Sequence, residues 1–166
     1  GNPMDAATNL GPVVRASAAE FVKQQINEAV AAGATAHIDP AHFGVTNEGA
    51  YLSPQVLTNV NHSMRVMTEE SFGPVIGIMS VKSDDEAIAL MNDSDYGLTA
   101  SIWTTDMARA TKIGEQIETG TVFMNRCDYL DPALAWTGVK DTGRGVSLSI
   151  LGYAQLTRVK SFHLKC

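Results

Sequence analysis

The sequence predicts an α/β fold, a mainly parallel sheet with flanking helices. Three observations carry this. Between Val75 and Met124, apolar strand-like runs alternate with amphipathic stretches in the order strand–helix–strand–helix–strand. The links are short, which favours right-handed crossovers between parallel strands. Each helical stretch in this region opens on a residue able to cap it, Ser83 or Asp106.

The opening stretch to Arg15 is turn-rich, with Asn2-Pro3 and Gly11-Pro12. A first helix follows. Ser17 and Glu20 have capping-box spacing, Val22, Ile26, Ala29 and Val30 recur at helical period, and Gly33 is a natural stop. Residues 34–49 read as a short strand and an exposed loop, broken by Pro40, Gly44, Asn47 and Gly49. Residues 50–57 read as a strand interrupted by Pro54, hence an edge or irregular one. Val75 to Val81 is a β-like run. Ser83 with Glu86 forms a capping box ahead of a helix whose buried face is Ala87, Ile88, Leu90 and Met91.

Thr99 to Trp103 reads as a strand, with Trp103 in the core. Asp106 caps a helix carrying Ala110, Ile113 and Ile117 on one side and stopped by Gly120, and Thr121 to Met124 is a compact apolar strand. Residues 126–147 are loop-like, with Asp131-Pro132 and glycines at 138, 143 and 145. Leu148, Leu151 and Ala154 are spaced for a short helix over 148–155. The tail from Thr157 to Leu164 alternates imperfectly, as an exposed final strand would, and such a strand invites pairing with another chain. A mainly parallel sheet presents its ligand edge at the C-terminal ends of its strands.

Composition bounds the function. The 166 residues suit one domain with its own core, and 45% hydrophobic with 18% charged residues is an ordinary globular balance. The net charge of −6 is diffuse and gives no electrostatic reason to bind nucleic acid or an anionic membrane. No apolar run approaches the roughly 20 residues of a membrane span, and the polar N-terminus lacks the pattern of a signal peptide. No Cys/His spacing suggests a metal site. Cys127 and Cys166 are too few for a disulfide framework and read as free thiols of a reducing cytosol. Gly1 is not a natural initiator, so the chain reads as carrying a cloning remnant or as cut from something longer.

Three motifs stand out, the second of them mostly architectural. The first is Thr68-Glu69-Glu70-Ser71-Phe72-Gly73-Pro74-Val75. The second runs from Asn92 to Thr104 and includes Asp95-Tyr96-Gly97-Leu98-Thr99. The third is Gly120-Thr121-Val122-Phe123-Met124-Asn125, followed by Gly138-Val139-Lys140-Asp141-Thr142-Gly143-Arg144-Gly145. In this order and at this spacing they resemble the aldehyde dehydrogenase superfamily. Gly1-Asn2-Pro3-Met4-Asp5 through Gly11-Pro12 is similar to the family's stretch after the nucleophile region, so the resemblance covers essentially the whole chain. It implies the C-terminal portion of the catalytic domain over residues 1–156 and a terminal oligomerisation strand over 157–166. A homo-oligomer is the implied assembly.

The first motif also makes physical sense alone. A carboxylate accepts both hydroxyls of a dinucleotide ribose in charge-assisted bonds. A ring two residues on packs against a nicotinamide, and Gly73-Pro74 makes a stiff turn that relates the two. The resemblance implies that Glu70 is the ribose carboxylate and Phe72 the nicotinamide contact, with NAD or NADP as cofactor of the parent enzyme. Without the other motifs, the same segment reads as a solvated acidic pair beside a core ring. In the second motif Gly97 is expected at a positive φ. In the third, Leu130 and Trp136 fall where the resemblance implies bulky side chains facing an aldehyde. An apolar wall with an indole suits a medium or aromatic aldehyde.

The family oxidises an aldehyde to an acid through a cysteine thiohemiacetal, with a general base activating water. Its Gly-Gln-x-Cys-type and Glu-Leu-Gly-Gly-type motifs do not occur here. They are expected upstream of Gly1, with the rest of the cofactor half. The chain alone is therefore expected to be inactive, to contain no catalytic residue and to bind dinucleotide weakly or not at all. Cys127 follows Asn125 in the aldehyde-side loop, but no base is near it in sequence, and it reads as a buried or pocket-lining thiol. His37, His42, His62 and His163 are scattered and read as surface or loop residues, and Asp128 and Asp131 match no carboxylate-pair mechanism. After Lys140 the family's usual Arg-Glu pair is replaced by Arg144-Gly145-Val146-Ser147, which places the chain in a divergent branch. The alternative reading is a non-catalytic self-association module that kept the same fold.

Overall fold

The computed structural model describes residues 1–43, 48–127 and 129–166. Gly44, Asn47 and Asp128, named above as loop residues, lie outside the described residues. The chain forms two compact units, Gly1–Ser80 and Val81–Cys166. Both are mixed α/β, and both four-residue strand pairings are parallel.

The first unit opens with helix α1, Ala16–Ala31. The helix starts one residue before the expected box: Arg15 is the N-cap and no side chain caps it, so Ser17 lies inside the first turn. The end is as expected. Gly33 sits at φ 105°, its N–H donates to Val30 O at 3.0 Å, and the Ala34 N–H donates to Ala29 O at 2.9 Å. This is the paired closure that a glycine beyond a helix end permits. The buried face is Ala19, Val22, Gln25 and Ala29; Val30, expected on it, is exposed. Strand β1, Thr35–Ala36, and a 3-10 turn, Pro40–Phe43, follow.

Strand β2, Gln55–Thr58, is the middle of a three-stranded sheet. The expected edge position is corrected. Pro54 precedes the strand instead of interrupting it, so its missing N–H costs no ladder bond. The next residue, Gln55, donates its N–H to Pro74 O at 2.8 Å. A short helix α2, Arg65–Thr68, leads to strand β3, Val75–Ile78, parallel to β2, with β1 antiparallel on the other side. Ala29, Ala34, Leu57, Val60 and Met64 form the core, with Ile26, Met67 and Val75 packed against it.

In the second unit, helix α3, Asp84–Asn92, has the expected cap: the Glu86 N–H donates to Ser83 Oγ at 3.1 Å, and Glu86 Oε2 accepts from the Lys82 N–H at 2.6 Å. Ile88 is buried on it, while Met91 is exposed. Strands β4, Tyr96–Gly97, and β5, Thr99–Ile102, follow. Trp103 is 68% exposed, against expectation, because it lies just beyond the paired residues of β5.

Helix α4, Met107–Gly114, is capped by Asp106, whose Oδ1 accepts from the Arg109 N–H at 2.9 Å. Ala110 and Ile117 are buried, and the helix stops at Gly114 with a turn carrying Ile117 onward. Strand β6, Thr121–Met124, pairs parallel with β5, completing the expected β–α–β crossover.

The stretch expected to be loop holds three short strands: β7, Trp136–Thr137; β8, Val139–Lys140; and β9, Val146–Ser147. β8 pairs with β4 and β7 with β9, both antiparallel. Two-residue strands carry too little pattern to read from sequence. Helix α5, Ser149–Leu156, is where expected, but none of its side chains is buried. Residues 157–166 form no strand, because extended chain becomes a strand only with a partner to bond; Val159, Phe162 and Leu164 stand exposed.

Candidate functional site

The segment that leaves α2 carries the first candidate site. Glu69 exits the helix in extended backbone, φ −97° and ψ 151°. Along the residues that follow, the side chains divide by the contacts they make. Glu69 turns toward α1 and α2: Arg65 Nε donates to Glu69 Oε1 at 2.8 Å, and Gln25 Nε2 donates to Glu69 Oε2 at 3.1 Å. Ser71 turns the same way, its Oγ donating to Gln25 Oε1 at 2.6 Å. Glu70 and Phe72 are exposed, Phe72 by 79%. The ring expected either at a cofactor or in the core is thus not in the core. Both members of the acidic pair are exposed, and Glu69 is the one tied by hydrogen bonds to Arg65 and Gln25.

Electrostatics agree with this division. Arg65 also donates from Nη1 to Glu28 Oε2 at 2.9 Å, and its guanidinium lies 5.6 Å from the centre of the Phe21 ring. The Arg65 hydrogen bond holds the Glu69 carboxyl below the usual carboxylate range, and Gln25 adds to the effect. These contacts tie Glu69 to α1 and α2.

The Gly73-Pro74 turn is closed by the Val75 N–H donating to Gly73 O at 2.9 Å. Glycine is required there by space: a Cβ on Gly73 would fall 2.8 Å from Val22 Cγ2. Val22 and Gln25, three residues apart on α1, thus hold both ends of the segment. Sequence reasoning misses Gln25 as a site residue, although its place between Val22 and Ala29 on the apolar stripe is the available signal.

In the second unit the strand ends lead into the other candidate region. Asn125, at φ 55°, clamps the Thr104 backbone: its Oδ1 accepts from Thr104 N–H at 2.9 Å and its Nδ2 donates to Thr104 O at 2.8 Å. Ser101 Oγ donates to Arg126 O, and the Arg126 guanidinium stacks 4.0 Å from the Tyr129 ring centre. Cys127 is exposed, so the buried reading of this thiol is corrected. Trp136 is half-buried on β7 and lines an open pocket of about 370 Å³ with Leu98, Thr142, Arg144 and Gln155. Leu130 is 54% exposed and does not line that pocket.

Gly97 corrects another expectation. Its φ is not positive; it is glycine because a Cβ would fall 2.4 Å from Glu118 O and 2.5 Å from Val139 Cγ2. Lys140 is structural too. Its Nζ donates to Asn92 O at 2.7 Å, at the end of α3, and to Ser94 O at 2.9 Å just beyond it, and pairs with Glu118 at 2.8 Å. No helix among the described residues is long and apolar enough to cross a membrane.

The model of the Aldehyde dehydrogenase family matches residues 1–162. An aldehyde dehydrogenase of Paenarthrobacter nicotinovorans is 38% identical over 97% of this chain and 35% of its own length. The structure of a succinic semialdehyde dehydrogenase from Streptococcus pyogenes, in complex with NADP+, superposes with a TM-score of 0.80 at 34% identity, over 92% of this chain and 33% of that one. That of a betaine aldehyde dehydrogenase from Staphylococcus aureus, in complex with NAD+, gives 0.83 at 32% identity, over 93% of this chain and 31% of that one. The chain spans about a third of the length of these relatives.

Proposed function

The chain belongs to the aldehyde dehydrogenase family, and we propose that it supplies the part of an NAD(P)-dependent enzyme that holds the redox end of the dinucleotide. The single observation carrying this is the outward pairing of Glu70 and Phe72 on one segment whose other side chains are tied down. The exposed carboxylate and exposed ring fit a ribose diol and a flat heterocycle. When bound, NAD or NADP supplies the two-electron acceptor for aldehyde oxidation. Glu70 accepts the ribose hydroxyls and so orients the ring, while Phe72 covers it and keeps water away.

In the proposed parent, an aldehyde becomes a carboxylic acid through a cysteine thiohemiacetal, with nucleophile and general base supplied by residues outside this sequence. Residues 1–156 are read as the C-terminal portion of the catalytic domain and 157–166 as an oligomerisation tail of a cytoplasmic homo-oligomer. Leu130 and Trp136 are read as part of the aldehyde wall. Trp136 carries more of this reading, since it lines the open pocket described above and Leu130 does not line that one. The choice between NAD and NADP is made on the adenosine ribose, beyond the residues named here.

The 166-residue chain alone is expected to give no aldehyde-dependent NADH or NADPH. Joined to the upstream two-thirds of the Paenarthrobacter relative, it is expected to restore that activity, with Phe72→Ala raising KM for the nucleotide. Turnover by the isolated chain contradicts the reading. So does an active graft indifferent to the loss of the Phe72 ring.

A further inference from the structure

We infer that Gln25, on α1, is the positioning residue that sets Glu70 and Phe72 outward; the importance of this for nucleotide binding rests on the reading just given. Gln25 is fully buried on the face of α1 that otherwise carries Ala19, Val22 and Ala29. A buried amide is costly unless its donor and acceptor are both used. Both are used here, and both by the same short segment: Nε2 donates to Glu69 and Oε1 accepts from Ser71.

The two partners are two residues apart. With Glu69 and Ser71 both bonded to Gln25, the residue after each of them, Glu70 and Phe72, is left exposed. A one-residue slip would turn Glu70 and Phe72 inward and Glu69 and Ser71 out. Nothing in regular structure prevents that slip, since Glu70, Ser71 and Phe72 belong to no helix or strand. The Gln25 amide does prevent it, by reading out the phase of the chain at two points. Arg65 secures Glu69 from the other side, and Val22 stops the far end at Gly73. Ser71 has its hydroxyl bond on Gln25, so the phase at Ser71 depends on this amide.

The test separates phase-setting from core-filling. Gln25→Met fills the same space without either hydrogen bond; Gln25→Ala removes volume as well; Ser71→Ala removes one partner. In the 166-residue chain, amide hydrogen exchange at Glu69, whose N–H donates to Arg65 O, is expected to quicken about tenfold in Gln25→Met, the scale of one lost hydrogen bond. Exchange at Leu57 and Ala29 is expected to stay as it was. A 4-fluorophenylalanine at position 72 is expected to show a second fluorine resonance in Gln25→Met, and Ser71→Ala added to Gln25→Met is expected to change little more. If Gln25→Met behaves as the parent and only Gln25→Ala loosens the segment, Gln25 is a core-filling residue and the inference is overturned. These signals require no nucleotide. A Glu70 substitution without kinetic effect would therefore remove the cofactor reading, while the exchange rates would still decide the role of Gln25.

Discussion

Arg109 on α4 grips Asp84 at the start of α3 with both arms of its guanidinium, Nε to Oδ2 at 2.7 Å and Nη2 to Oδ1 at 2.6 Å. The pair joins α3 and α4 across an open pocket that Ile88, Ile113 and Gln116 also line. The Arg109 hydrogen bond holds the Asp84 carboxyl below its ordinary value of 3.8. A carboxyl lowered in the folded state contributes stability that is present above its unfolded pKa and lost as pH falls through the folded one. Both groups are exposed, so the effect is expected to be small and weakened by salt. Melting temperatures of the parent and Asp84→Asn are expected to differ slightly at neutral pH and to converge below the ordinary aspartate range. A gap that widens in acid contradicts the assignment.

Two glycines are required for different reasons, and alanine should distinguish them. Gly33 is at φ 105° with nothing within 4 Å of where a Cβ would stand, so Gly33→Ala meets only backbone strain, about 1 kcal/mol. Gly97 has ordinary backbone but no room beside Glu118 O. Gly97→Ala is expected to cost about 3 kcal/mol through overpacking. Urea midpoints measure both, and equal losses would contradict this distinction.

Leu57 is completely buried in the centre of the first unit's core, on the middle strand of its sheet. Leu57→Ala is expected to cost about 2–5 kcal/mol, depending on how far Met64 and Val60 collapse into the space. A loss under about 1 kcal/mol in denaturant melts would mean that this core does not hold the unit together.

Ile150, Tyr153 and Leu156 on α5 and Val159, Phe162 and Leu164 on the tail are all exposed. Exposed apolar side chains favour association when they adjoin one another. Light scattering of the chain is expected to find dimers or larger assemblies, and removal of residues 157–166 to shift them toward monomer. A monomer at high concentration contradicts the proposed role of the tail.

Much of the fold is legible in the sequence because the signals are local. Ser83 and Asp106 cap the helices they precede, Gly33 ends α1, and the Thr121–Met124 run is a strand. Motif order and spacing point to the family by themselves. What is not legible depends on partners distant in the chain. The central place of β2 is set by its pairing with β1 on one side and β3 on the other. The need for glycine at 97 is set by Glu118 and Val139. Gln25 looks like one more polar helix residue until Glu69 and Ser71, 44 and 46 positions away, meet it. Trp103 reads as core by its residue type alone, which an exposed strand end overrides.

Neighbouring carboxylates provide the sharpest comparison. In the active graft, Glu70→Gln is expected to lower kcat/KM for the nucleotide about tenfold to a hundredfold, the scale of charge-assisted hydrogen bonds, with the melting temperature unchanged. Glu69→Gln, which weakens the Arg65 and Gln25 contacts, is expected to lower the melting temperature and to affect nucleotide kinetics far less. The reverse pattern, kinetics lost with Glu69 and kept without the Glu70 charge, would contradict the assignment of Glu70 as the residue that faces the cofactor.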